Sequence, residues 1–281
     1  MKTTYELRYA AHPEDAKQYD TKRLRRDFLI EKLFVPDEVN MVYSMYDRMV
    51  AGGAMPVKER LLLEAIDPLK QPVFLRRREI GIYNVGGATG IVHIGGQTFE
   101  LDYKEALYLG SGDRELYFES KDPDHPALFY FNSLTAHRNY PDRKITKANA
   151  VVAGMGALET SNHRNINKMI VNQVLPTCQL QMGMTELSPG SVWNTMPAHI
   201  HSRRMEVYFY FEVPEGQAVC HFMGEPDETR HIWMKGNQAV LSPEWSIHSA
   251  AATSNYTFIW GMGGENLDYG DQDFFKIDEL R

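Results

Sequence analysis

The sequence predicts a mainly β chain folded as two β-barrels or sandwiches with a few short helices, and three observations carry that expectation. Short segments rich in β-branched and aromatic residues recur along the 281 residues, each bounded by Gly, Pro, Asp or Asn. Amphipathic stretches long enough to serve as the helices of βαβ units are scarce. The strand-like segments also fall into two groups on either side of a polar stretch with proline and glycine signals at 139–162.

In chain order, Asp20 to Phe28 reads as a helix whose basic cluster KRLRR (Lys22 to Arg26) lies on a solvated face. The first group of strands is EIGIYNVG, GIVHIGGQTFELDY, EALYLGSG, ELYFES and ALFYFNSL. The segment SNHRNINKMIV reads as a second helix, since Ser161 or Asn162 can cap it and Ile166, Met169 and Ile170 fall at helical spacing. The second group is CQLQMGMTEL, SVWNTM, EVYFYFEV, QAVCHFMG, HIWMKG, QAVLS and YTFIWGMGG. The expected domains are 1–150 and 151–281. The halves echo each other, because GIVHIGGQTFELDYKEALYLGSG and GQAVCHFMGEPDETRHIWMKGNQAVLSPEW both run strand, glycine turn, strand, then a short strand into a turn.

Composition narrows the function. A formal charge of −7 with a pI near 5.8 argues against nucleic-acid binding, which needs a concentrated basic face. No eighteen-residue apolar run occurs, and the opening MKTTYELRYAAHPEDAKQYD lacks a signal-peptide core, so a cytoplasmic protein without membrane partners is expected. Cys178 and Cys220 are too few for a disulfide framework and are expected to stay reduced. No GxGxxG follows a strand, so neither a nicotinamide nor a flavin is expected.

The densest chemistry lies in MPAHIHSRRMEVYFYFEVPEG. His199 and His201 are two apart, which on a strand puts both imidazoles on one face. Glu206 lies five beyond His201, so a bend at SRRM must bring it back toward them. In LSPEWSIHSA, forty-two residues after Glu206, a proline turn delivers His248 onto another strand. Three neutral nitrogens and one carboxylate suit a divalent metal that keeps positions open for water or substrate. The other histidines, His12, His93, His125, His137, His163, His221 and His231, read as surface or hydrogen-bonded core residues.

These residues resemble the cupin superfamily. HIHSRRME matches its HxH, three or four residues, Glu motif, and GNQAVLSPEWSIH is close to its second motif, with one extra residue before Pro243 and Trp245 in place of a glycine. Six ordered segments are similar to those of the 5-keto-4-deoxyuronate isomerases: EKLFVPDEVNMVYSMYDRMVAGGAMPV, FLRRREIGIYNVGG, EALYLGSGDRELYF, LETSNHRNINKMI, NTMPAHIHSRRMEVYFYF and WGMGGENLDYGDQD. The resemblance implies a zinc-containing bicupin with one Zn2+ on His199, His201, Glu206 and His248, assembled as a homohexamer. It also implies isomerisation of 5-dehydro-4-deoxy-D-glucuronate to 3-deoxy-D-glycero-2,5-hexodiulosonate in the breakdown of pectin and related uronates.

Such an isomerase needs groups beyond the ion. Strand parity puts Tyr208 and Tyr210 on the face of Glu206, and Gln181 on CQLQMGMTEL can also face inward, so Tyr208 and Gln181 are the catalytic candidates. The anionic substrate needs a local cation, for which Arg164 in SNHRNINKM is the first candidate and Arg203 the second. The first half offers no comparable ligand set, since His93 has no second histidine two residues away and Glu115 stands where the echo would place the later one. Two other functions fit a metal-bearing bicupin: a metal-dependent dioxygenase, which would consume oxygen, and a uronate-binding protein that leaves its ligand unchanged.

Overall fold

The computed structural model describes residues 3–265 and 267–281. Asn266, inside the expected WGMGGENLDYGDQD segment, lies outside the described residues, as do Met1 and Lys2. The chain forms two compact units, one of residues 1–7, 32–151 and 169–181 and the other of 8–31, 152–168 and 182–281. Residues 8–31 group with the later part of the chain and residues 169–181 with the earlier part, so both depart from chain order.

Each departure has a physical cause. Residues 8–31 carry the helix Thr21–Phe28, capped by the Asp20 carboxylate on the Arg23 amide, and the short strand Leu29–Ile30. That strand pairs Leu29 with Val240 and Ile30 with Ala239. Residues 169–181 are held in the first unit by Glu79, whose buried carboxylate accepts the backbone N–H groups of Cys178, Gln179 and Leu180 at 2.7, 2.8 and 2.8 Å. Charge-assisted bonds of this sort repay the desolvation of a buried carboxylate.

Both units have the same plan, a seven-stranded sheet with a four-stranded one. In the first unit the large sheet runs, by neighbouring strands, Thr3–Arg8, Val39–Ser44, Val50–Ala54, Phe129–Thr135, Arg78–Asn84, Ala106–Leu109 and Arg143–Ile145. Its core is apolar and includes Ile80, Ile82, Val92, Leu107, Phe118, Phe129 and Phe131. In the second unit the order is Val151–Met155, Arg164–Ile170, Gln181–Leu187, Thr257–Gly264, Arg204–Phe211, Gln238–Ser242 and Leu29–Ile30. Its small sheet orders Trp193–Asn194, Ser249–Ala252, Val219–Glu225 and Glu228–Met234, and a further pair joins His199–Ile200 to Asp273–Phe274.

The expected second helix is corrected, because Arg164–Ile170 is a strand. Ile166, Met169 and Ile170 satisfy helical spacing, yet the polar residues obey period two. Arg164, Ile166 and Lys168 face one cavity, while Asn167 on the other parity donates to Met184 O at 3.2 Å and to Glu186 at 3.0 Å. The first strands of the chain, Thr3–Arg8, Val39–Ser44 and Val50–Ala54, were not among the expected elements. VAGGA lacks bulky residues because a Cβ at Gly52 would come within 2.4 Å of the Phe131 ring.

Candidate functional site

His199 lies on its short strand, His201 just after it, and Ser202–Arg203 form the turn that returns the chain into Arg204–Phe211, so that Glu206 reaches the histidines as the spacing requires. His248 arrives from the loop after Pro243, one residue before Ser249–Ala252 rather than on that strand. His199 Nε2 lies 3.2 Å from His201 Nε2 and 2.9 Å from His248 Nε2, while Glu206 Oε2 lies 3.4 Å from His201 Nε2 and 3.0 Å from His248 Nε2. All four donor atoms fall within 4.8 Å of one another, and all four residues are buried, His199 the least so at 8% exposed.

This donor set fits a divalent cation. Ligands about 2.1 Å from a common ion sit about 3.0 to 3.4 Å apart for angles between square and tetrahedral. Burial, reinforced by His248 and His201, pushes the His199 imidazole down to about 2, so it stays neutral. Burial alone would raise the Glu206 carboxyl, but His248 and His201 outweigh it and hold the group below its ordinary range. Three imidazole nitrogens and a carboxylate oxygen converging at this spacing in a buried site are a donor set that could hold a cation.

The cluster opens into a cavity of about 320 Å³ whose walls come from alternate residues of neighbouring strands. Glu206 and Tyr208 on one strand stand opposite Met262 and Trp260 on the next, and Phe258 continues that wall. Thr185, then Arg164, Ile166 and Lys168, then Ala153 and Met155 extend it. The segment after the last long strand adds Tyr269, Gln272 and Phe274.

The sequence candidates separate here. Tyr208 lines the cavity, its hydroxyl 3.2 Å from Thr195 Oγ1, and burial followed by the Glu206 charge pushes its phenol well above the ordinary value. Tyr210 shares that parity but lies outside the lining, its hydroxyl 2.8 Å from His221 Nδ1 in the core. Gln181 has the parity of Thr185 and does not line the cavity, because the Trp260 ring covers Gly183 between them, within 2.1 Å of where a Cβ would stand. The Gln181 amide is buried without a hydrogen-bond partner among the described residues.

Arg164 lines the cavity. It is buried, its Nη1 donates to Asn162 O at 2.7 Å, its Nε has no hydrogen-bond partner among the described residues, and burial lowers its pKa. Arg203 does not line it; 61% of its side chain is exposed, with Nε 3.8 Å from Glu265. The cation that sequence reasoning missed is Lys168, four residues beyond Arg164 on the same face, with Nζ 3.9 Å over the Tyr269 ring and its ammonium pushed down by burial. Period two in RNINK carried that signal. Arg204 and Asp271 were also missed: the Arg204 side chain is fully buried and paired with Asp271, which reaches His201 Nδ1 at 3.1 Å.

Comparison with known proteins follows the same lines. The model of the KduI/IolB family matches residues 28–277. A 4-deoxy-L-threo-5-hexosulose-uronate ketol-isomerase 1 of Bacteroides thetaiotaomicron is 81% identical over 281 residues, 100% of both chains. A ketol-isomerase of the same description from Yersinia pseudotuberculosis is 52% identical over 278 residues, covering 98% of this chain and 100% of the relative. Among solved structures, an IolB-like protein of Salmonella typhimurium matches with a TM-score of 0.66 at 15% identity, over 81% of this chain and 87% of that one. An oxalate decarboxylase of Lactobacillus farciminis matches at 0.54 and 10% identity, over 81% and 79%. These two likenesses concern the fold, which is cupin-like in each unit.

Proposed function

The chain belongs to the KduI/IolB family, and from that premise we propose that it is the ketol-isomerase that converts 5-dehydro-4-deoxy-D-glucuronate, the open-chain 4-deoxy-L-threo-5-hexosulose uronate, to 3-deoxy-D-glycero-2,5-hexodiulosonate in uronate catabolism. One observation carries the reading: a buried set of three histidines and a glutamate opens into a cavity that also holds two cations, Arg164 and Lys168, without a salt-bridge partner among the described residues. The volume of about 320 Å³ is at the small end of ligand pockets, about 300–1,000 Å³, and suits one sugar acid better than a polysaccharide.

In this reading His199, His201, Glu206 and His248 hold one zinc ion per chain. When bound, that ion supplies Lewis-acid stabilisation of the negative charge that develops on the carbonyl and hydroxyl oxygens of the reacting pair. Arg164 and Lys168 bind the carboxylate at the far end of the substrate and set its orientation. Tyr208 keeps its proton at Oη and so donates a hydrogen bond to a substrate oxygen, not serving as a base. Trp260, Phe258, Met262 and Phe274 exclude water from the intermediate stage.

The reading extends to a cytoplasmic homohexamer. Two buried free thiols suit a reducing compartment, and among the described residues no helix is long and apolar enough to cross a membrane. Exposed Tyr5 and Leu7 on one edge strand, and Val151, Val152 and Met155 on another, are apolar edges of the kind that association covers. The direct test is a proton NMR time course on freshly made substrate, with and without a chelator. Product should appear without added nicotinamide or flavin and stop on chelation; a substrate that stays unchanged, or a strict need for NAD, would overturn the reading.

A further inference from the structure

The segment that follows Thr257–Gly264 turns back onto the metal-ligand cluster. Phe275 N donates to Ala198 O at 3.0 Å, Asp273–Phe274 pairs with His199–Ile200, and Ser202 Oγ donates to Asp273 at 3.1 Å. The Phe274 ring lies 5.1 Å from the His199 ring. Within this returning segment, Asp271 Oδ1 lies 3.1 Å from His201 Nδ1, the ring nitrogen that does not face the cluster, and accepts a bond from Arg204 Nη2.

We propose that Asp271, braced by Arg204, is a positioning residue that fixes the tautomer and ring plane of His201, which makes the carboxyl-terminal segment part of the metal centre. The inference rests on the metal reading of the four ligands. A ligating imidazole must offer a lone pair at Nε2, so its proton must sit on Nδ1, and a carboxylate that accepts this proton selects that tautomer.

The three histidines are not held alike. Among the described residues, His199 Nδ1 is buried without a hydrogen-bond partner, and His248 Nδ1 has Ser242 Oγ at 3.4 Å. Among the described residues, His201 alone of the three has a carboxylate behind its Nδ1. Arg204 makes the arrangement durable. Its guanidinium donates to Asp271 and holds that side chain in place, and Arg204 itself stands on the strand of Glu206, two residues before it. One strand therefore supplies both a ligand and the brace for the carboxylate behind another ligand. Partners of this kind are worth about 10- to 100-fold in metal affinity.

The test uses the full chain as wild type, Asp271→Ala and Asp271→Asn, the last being nearly isosteric in case the alanine variant folds poorly. Zinc affinity is measured by competition with a chromogenic chelator, and the His201 tautomer by proton–nitrogen correlation NMR on the metal-free protein. The expected result is about 10- to 100-fold weaker zinc binding in Asp271→Ala, a smaller loss in Asp271→Asn, and a shift of metal-free His201 away from the Nδ1–H tautomer. Unchanged affinity together with an unchanged tautomer in both variants would overturn the assignment. If the wild type itself takes up no zinc, the metal reading fails instead, and the tautomer measurement still decides the role of Asp271.

Discussion

Replacing Arg164 with glutamine tests how the cavity recognises an anion. The substitution keeps a hydrogen-bonding side chain near Asn162 O but removes the charge. A hydrogen bond to a charged group is worth about 1.5–3 kcal/mol, and each 1.4 kcal/mol is about tenfold, so kcat/KM should fall about 10- to 150-fold. The carboxylate is remote from the carbons that exchange hydrogen and is bound alike in ground and transition states, so the loss should appear mainly in KM. Stability should move little. The guanidinium is buried, burial disfavours its charge, and it has no salt-bridge partner among the described residues, so the fold forfeits one hydrogen bond and sheds a desolvation cost. Initial rates against substrate concentration, with a thermal melt, decide the matter, and Arg203→Gln is the control because Arg203 is exposed beside Glu265. An unchanged KM in Arg164→Gln, or a larger effect in Arg203→Gln, would refute the reasoning.

Lys168→Met should also raise KM, because it removes the second cavity cation while keeping the aliphatic stem against Tyr269; an additive effect with Arg164→Gln on a substrate amide that lacks the charge would contradict this. Native protein should contain one tightly bound divalent ion per chain by elemental analysis, and His248→Ala and His199→Ala should each lose ion and turnover together while circular dichroism stays native. Two ions per chain, or undiminished metal in both variants, would place the site elsewhere. His221, buried against Tyr210, supplies a pH prediction. Burial, with a smaller push from His248, lowers its imidazole from 6.5 to about 3, so the unfolded chain takes the proton first. Its contribution to stability is complete above pH 6.5 and is lost at about 1.4 kcal/mol per unit as pH falls toward 3. Urea melts of His221→Gln should show that slope reduced by one proton, and parallel slopes would count against it.

The fold and the four clustered donors were legible in the sequence because their signals are local. An HxH pair, a basic turn and a glutamate need only strand alternation and one bend, and period-two runs mark most strands. The rest failed where local pattern is ambiguous or the partner is distant. Ile166, Met169 and Ile170 suit either period, and the residues that break the tie, Arg164 and Lys168, are polar because they face a cavity. Arg203 and Arg204 are adjacent, so a shift of one residue exchanges solvent for the interior; counting back from Glu206 by two selects Arg204. Asp271 lies sixty-five residues after Glu206 in a segment with little apolar periodicity, and its role appears only when that segment returns to His199–Ile200. Gln181 lies outside the cavity lining, two residues from Gly183, which the Trp260 ring covers.

The two units explain why the chemistry should sit in one of them. Sheet order matches Val50–Ala54 with Gln181–Leu187, Phe129–Thr135 with Thr257–Gly264, and Arg78–Asn84 with Arg204–Phe211. A shared device fixes the register: the Phe131 ring covers Gly52 as the Trp260 ring covers Gly183. Phe131 stands opposite Ile82, and Trp260 opposite Tyr208. Ile82 therefore corresponds to Tyr208, Ile80 to Glu206, and buried Arg78 to buried Arg204. Where the second unit places its carboxylate, the first has isoleucine, opposite Leu109 where the second has Ser242. Phe118, 4.9 Å from Phe129 and 6.0 Å from Phe131, packs into the first unit's core. Even the shared arginine is employed differently, since Arg78 donates to Ser133 Oγ and to the carbonyls of Ser133 and Arg48, whereas Arg204 braces Asp271. An unpaired carboxylate introduced at Ile80 would cost several kcal/mol in so apolar a core. The same strand order is thus committed to packing in one unit and to holding charge in the other, which is the physical ground for expecting one ion per chain.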